Sequence, residues 1–136
     1  MPDAWKIFEA ESAALFGVHR AWANSGHRLD FPRPDELDDA PAIGQCKQVQ
    51  RMSLEELTAL AEEMEALGLQ SEKLGVVCIK VRRGKGKKSA PLVVMTFPMW
   101  DWFCKHPTTL VEVGVRRRIA IETVKPERSK SDETPA

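Results

Sequence analysis

Between residues 52 and 69, "MSLEELTALAEEMEALGL" sets Leu54, Leu57, Leu60, Ala61, Met64 and Leu67 three or four positions apart. That interval lines one face of an α-helix. Ser53 with Glu56 supplies a capping box at its start, and Gly68 is the expected stop. A second helical stripe, Trp5, Phe8, Ser12, Leu15 and Phe16, runs through "DAWKIFEAESAALFG" (3–17), with Asp3 as N-cap and Gly17 at its end. Two continuous apolar runs, "KLGVVCIKV" (73–81) and "APLVVMTF" (90–97), have strand length and β-branched content. The glycine- and lysine-rich stretch between them predicts an exposed hairpin-like connection. Trp100, Trp102 and Phe103 in "PMWDWFC" predict a short helix packed on the sheet. Val111, Val113 and Val115, then Ile119 and Ile121, alternate and predict one or two further strands. Residues 35–47 read as a bent strand or a pair of short ones. Within them Ala42-Ile43-Gly44 leads to Gln45 and Lys47 on one face, with Cys46 on the other. Asn24-Ser25-Gly26 is a turn signal, and Pro32 and Pro34 exclude helix there.

The order helix, strands, helix, strand, strand, short helix, strand predicts an α/β fold: a central mixed β-sheet flanked by helices. A chain of 136 residues holds one domain, here 1–125, followed by a polar tail (126–136) expected to be disordered. With 43% hydrophobic and 29% charged residues it has an ordinary globular composition. No apolar run approaches the roughly 20 residues that span a bilayer. The start "MPDAWKIFEAES" lacks a basic region followed by an apolar one, so no secretory signal is expected. Cys46, Cys78 and Cys104 form neither a disulfide framework nor a zinc spacing. They read as small core residues of a cytoplasmic protein.

Charge changes this picture through its distribution. Twenty basic residues balance twenty acidic ones, so no global field draws the protein to nucleic acid. Yet "KVRRGKGKK" (80–88) carries Lys80, Arg82, Arg83, Lys85, Lys87 and Lys88 without an acid, and the glutamates crowd the helix near 55–65. A local basic patch can bind a polyanion whatever the net charge; otherwise it is a solvated loop.

The candidate chemistry is that of metal-assisted phosphodiester hydrolysis. This needs oxygen ligands for a hard cation, a group near the attacking water, and positive charge at the phosphoryl group. Asp35 follows Pro34; ten residues later come Gln45 and then Lys47, and Glu9 on the first helix is placed to approach the same edge. Asp38 and Asp39 are alternatives to Asp35. Each residue also has a plain structural reading: Asp35 as a turn residue, Gln45 and Lys47 as an exposed strand end, Glu9 as a solvated helix carboxylate. His19, His27 and His106 are scattered and are assigned to no metal.

Pro34-Asp35 followed by Gln45-Cys46-Lys47 resembles the active-site signature of the PD-(D/E)XK nuclease superfamily, in a variant with glutamine for the glutamate of E-x-K. "WKIFEAESAALFGVHR" looks like the opening of its small phage and prokaryotic Holliday junction resolvase-like members. "QCKQVQRMSLEELTALAEEMEALG" and "LGVVCIKVRRGKGKKSAPLVVMTF" follow the order of elements in those members, and the similarity spans roughly residues 4–104. The resemblance implies a restriction-endonuclease-like core and a Mg²⁺-dependent DNA endonuclease, with Mn²⁺ as a substitute and a junction resolvase as the favoured subtype. It implies Asp35 and Gln45 as metal ligands, Glu9 as an outer ligand or base, and Lys47 as the group acting on the attacking water or transition state. It makes Arg20, Lys80, Arg82 and Arg83 phosphate contacts, and the basic loop adds Lys85 and Lys87. Symmetric cutting of two strands calls for two sites, hence a homodimer. The neutral Gln45 and balanced charge also fit an alternative, a weakly active or inactive nuclease fold that binds DNA or a partner.

Overall fold

The computed structural model describes residues 4–21 and 29–124, with side chains described as far as residue 119. Helix α1 (Ala4–Leu15) precedes a single 3₁₀ turn (Pro34–Glu36) and strand β1 (Ala42–Val49). Then come α2 (Leu54–Ser71), β2 (Leu74–Val81), β3 (Ala90–Val94), α3 (Phe97–Lys105) and α4 (Pro107–Val124). The sheet order is β1-β2-β3, with β1 parallel to β2 and β3 antiparallel. Thus β1-α2-β2 is a crossover unit, which parallel neighbours require. The expected mixed sheet with flanking helices is present.

Side-chain alternation splits the core into two layers. On one face Ala42 of β1 and Leu74, Val76 and Cys78 of β2 pack with Phe8 and Ala13 of α1, Phe16 just beyond it, Met99 of α3 and Val113 of α4. On the other, Ile43, Val77 and Ile79 pack with Met64 and the leucines of α2. Both helix starts with a side-chain cap follow local chemistry. Ser53 Oγ accepts the Glu56 N–H at 3.0 Å, and Thr96 Oγ1 accepts the Met99 N–H at 3.2 Å. The Thr96 cap also shortens the expected second apolar strand, which ends at Val94. Gly17 has φ +74°, the left-handed conformation in which glycine ends a helix without steric penalty.

Four expectations are corrected. The segment from 109 to 124 is not strand but part of helix α4, which Pro107 opens. Only one of its alternating valines, Val113, is buried, whereas Val111 and Val115 are exposed. Gly68 does not stop α2. The helix continues to Ser71 and ends at Glu72 (φ +56°), because Gly68 lets α2 press on β2: a Cβ there would lie 2.9 Å from the Gly75 nitrogen. Residues 35–39 form turns rather than strand, since Pro34 suits the first position of a helical turn and Glu36 accepts the Ala40 N–H through its carbonyl. Trp5 and Leu15 sit at the margin of the α1 stripe; the buried set is Phe8, Glu9, Ser12 and Ala13. The Asp3 cap, the Asn24-Ser25-Gly26 turn, Trp22, His27 and the tail from Pro126 lie outside the described residues. Among the described residues, no helix is long and apolar enough to cross a membrane.

Candidate functional site

Strand β1 sets the geometry. Its alternation turns Ile43, Gln45, Lys47 and Val49 toward α2, and Ala42, Gly44, Cys46 and Gln48 toward α1. Gln45 and Lys47 do share a face, as their spacing requires. Lys47 lines a shallow depression with Glu56 and Glu63 of α2. Glu9 belongs to the helix on the opposite face, so the sheet separates it from Lys47.

A different carboxylate reaches Glu9. From Leu29 the chain runs along the outer edge of β1, where Phe31 pairs antiparallel with Gly44. The Asp30 N–H donates to the Gly44 carbonyl at 2.9 Å, and Asp30 Oδ2 accepts the Cys46 N–H at 2.5 Å. Phe31 anchors this segment. It is wholly buried and stacks on Phe16 with ring centroids 5.8 Å apart. Its ring occupies the space above Gly44, where any Cβ would come within 2.1 Å of it. Gly44 and Phe31 together therefore deliver Asp30 to the middle of β1.

Glu9 is only 9% exposed, and Arg20 Nε donates to its Oε1 at 2.7 Å. Burial raises its carboxyl pKa, the negative charge of Asp30 raises it further, and Arg20 partly counters both. Two carboxyl groups from segments about twenty residues apart in sequence thus meet at the β1 edge, with one guanidinium against them. Arg20 also lies over Trp5, its Cζ 5.4 Å from the ring centroid. Its Nη2 is buried and has no hydrogen-bond acceptor. On the same face, Gln48 of β1 stands opposite Lys80 of β2. The Gln48 Nε2 is likewise buried without an acceptor, and Lys80 Nζ lies 5.7 Å from the Phe8 ring centroid. Beneath them Cys46 faces Cys78 in register, both beside Ser12. The hydrogen bond to Cys78 and burial push the Cys46 thiol well above its ordinary range. It is a protonated core group, not a nucleophile.

The other expected residues lie elsewhere. From the Phe31–Gly44 bridge the chain runs antiparallel to β1, toward the end where β1 begins. Asp35 is there, 60% exposed at its side chain and paired with Arg33 Nε at 3.5 Å. Glu36 beside it binds both Arg33 and His19. Asp38 and Asp39 are exposed at the same end, where Lys73 Nζ donates to the carbonyls of Asp38 (3.3 Å) and Ala40 (2.7 Å). Asp30, not Asp35, is thus the acid beside the middle of β1. Its one signal in the sequence is an acid between two apolar residues, Leu29-Asp30-Phe31, just before the prolines. Arg82, Arg83, Lys85 and Lys87 are exposed on the β2–β3 connection, as expected for that loop. Among the described residues, no three Asp, Glu, His or Cys side chains converge on one metal position. Comparison with known proteins gives no matching family model, no matching curated protein and no matching solved structure.

Proposed function

We propose that this chain is a Mg²⁺-dependent DNA endonuclease, most naturally a structure-selective junction resolvase, with Glu9 and Asp30 as its acidic centre. The observation that carries this reading is the meeting of those two carboxyl groups at the β1 edge beside Arg20. The donors suit a hard divalent ion: both are carboxylate oxygens, and the burial and the Asp30 charge that raise the Glu9 pKa are both penalties on the ionised form that a cation there relieves. Two protein ligands leave the remaining positions to water and phosphate oxygens, the arrangement Mg²⁺ favours. When bound, Mg²⁺ or Mn²⁺ supplies Lewis acidity and a more acidic water. Glu9 and Asp30 hold the ion, and Arg20 offers positive charge on the phosphoryl side of the pair. The exposed cations of the β2–β3 connection hold the DNA backbone. Asp30 replaces Asp35 in this scheme. Two symmetric cuts require two copies of the site, and the exposed apolar residues Val111 and Val115 of α4 offer a surface for a homodimer. The resemblance to phage and prokaryotic resolvase-like proteins suggests the cytoplasm of a prokaryotic or phage-infected cell.

The test is cleavage of a labelled four-way junction beside a matched linear duplex, with Mg²⁺ and with Mn²⁺. Asp30→Ala and Glu9→Ala are expected to lower cleavage by about a hundredfold or more, and Asp35→Ala by less than about threefold. A wild type that leaves both substrates intact overturns the enzyme. One observation favours a second reading: Arg20 already lies 2.7 Å from Glu9 and neutralises it, as in a purely structural ion pair. The chain is then a DNA-binding unit with a nuclease-like core, and it binds the junction without cutting it.

A further inference from the structure

Three hydrogen-bond donors gather around the first two turns of α1, on the face of the sheet that carries Glu9. Arg20 Nη2 and Gln48 Nε2 are both buried without an acceptor. Lys80 Nζ stands over Phe8, the neighbour of Glu9, and no carboxylate among the described residues pairs with it. A buried donor left without an acceptor is costly, so the two unsatisfied donors, on the face where Lys80 adds a cation, require an explanation. Packing does not provide one. The Gln48 stem and the Lys80 stem are cross-strand neighbours in register, and an apolar pair there would seal the sheet under α1 equally well.

An anionic, multi-oxygen ligand does explain them. A phosphodiester has two non-bridging oxygens, each able to accept more than one hydrogen bond, and Arg, Lys and a side-chain amide are its ordinary partners. Lys47 cannot fill this role. It is on the other face of β1, beside Glu56 and Glu63. Resting on the nuclease reading above, we infer that Arg20, Gln48 and Lys80 form the cradle for the scissile phosphate at the Glu9–Asp30 pair. Lys80 thereby takes the transition-state role that the resemblance implies for Lys47, and Gln48 adds an amide donor beside it. Amide and ammonium come from neighbouring strands, and both face the carboxyl groups.

The experiment compares Lys80→Met, Gln48→Met and Lys47→Met in the full-length chain. Methionine retains an apolar stem and removes the polar head. Thermal unfolding of each variant shows that the fold is kept. In the junction-cleavage assay, Lys80→Met is expected to lose about a hundredfold or more and Gln48→Met about tenfold, while Lys47→Met changes by less than about threefold. Loss with Lys47→Met and retention with Lys80→Met overturns the assignment. Should the wild type not cleave, the nuclease reading falls, and metal-free junction binding decides the cradle by itself. Lys80→Met then flattens the dependence of log K on log salt by about one, and Lys47→Met leaves it unchanged. Equal slopes for the two variants overturn the cradle.

Discussion

Burial and the charge of Asp30 both penalise the ionised form of Glu9, and the Arg20 guanidinium only partly offsets them. A carboxyl whose folded pKa lies above its unfolded one contributes most to stability below the unfolded value. That contribution is lost as pH rises through the folded value. Glutamine in its place stays neutral throughout. Glu9→Gln is therefore expected to raise the urea midpoint of the metal-free protein at pH 7 and to leave it unchanged at pH 4, the difference opening from the ordinary glutamate range upward. Urea titrations in a chelating buffer at the two pH values measure this. An equal effect at both means that the Arg20 pair fully offsets burial and Asp30, and a lower midpoint at pH 7 alone means that it outweighs them. A buried carboxyl whose ionisation costs stability is a common pattern of functional sites. Part of this was legible: Glu9 stands beside the apolar stripe of the first helix, and Arg20 enters through the resemblance. Asp30 was not. Its position depends on Phe31 filling the space above Gly44, thirteen residues later, and no local spacing encodes that contact.

Among the elements, α2 was readable because one period dominates it, and β2 and the hairpin because two apolar runs of strand length flank a glycine- and lysine-rich stretch. Helix α4 was not, because its valines satisfy two periods at once. Val111, Val113 and Val115 alternate as in a strand. In a helix the same three point in different directions, with Val113 turned 160° or so from Val115. What decides between the two is tertiary. Val113 packs on the α1 face of the core, and Arg116 of the next turn donates to the Asp39 carbonyl at 3.2 Å and closes over Gly17. As a strand this segment would also need a partner edge, whereas a helix satisfies its own backbone. The distinction is measurable. Val113→Asp is expected to cost about 3 kcal/mol or more, through burial of an unpaired charge. Val111→Asp and Val115→Asp, at exposed positions, are expected to cost under about 1 kcal/mol each. Chemical denaturation of the three variants separates the readings, since a strand would make the three costs similar.

At the scale of the whole molecule, a net charge of zero hides a division of labour. Basic side chains extend from the end of β2 into the exposed hairpin, from Lys80 through Arg82 and Arg83 to Lys85, Lys87 and Lys88. The glutamates of α2 line the other face, around Lys47. Fields from opposite charges cancel at a distance but not within a Debye length, about 8 Å at physiological ionic strength. A polyanion therefore meets a basic edge at the end of β2 and an acidic surface over α2. In the proposed nuclease, that asymmetry would orient a DNA backbone along the hairpin and toward the α1 face, where the Glu9–Asp30 pair lies, and away from the face that carries Gln45 and Lys47. Replacing Lys85, Lys87 and Lys88 together by glutamine is expected to lower the slope of log K against log salt by about 0.9 for each lysine that touches a phosphate. It should leave the unfolding midpoint within the error of wild type, since these side chains are exposed and pack on nothing. Replacing Glu56 and Glu63 by glutamine should move affinity the other way, and only modestly, by relieving repulsion without adding a contact. Fluorescence anisotropy of a labelled junction over a range of salt gives both results. An unchanged slope in the triple lysine variant would remove the hairpin lysines from the proposed binding surface and leave the α1-face donors as the candidate anion-binding site among the described residues.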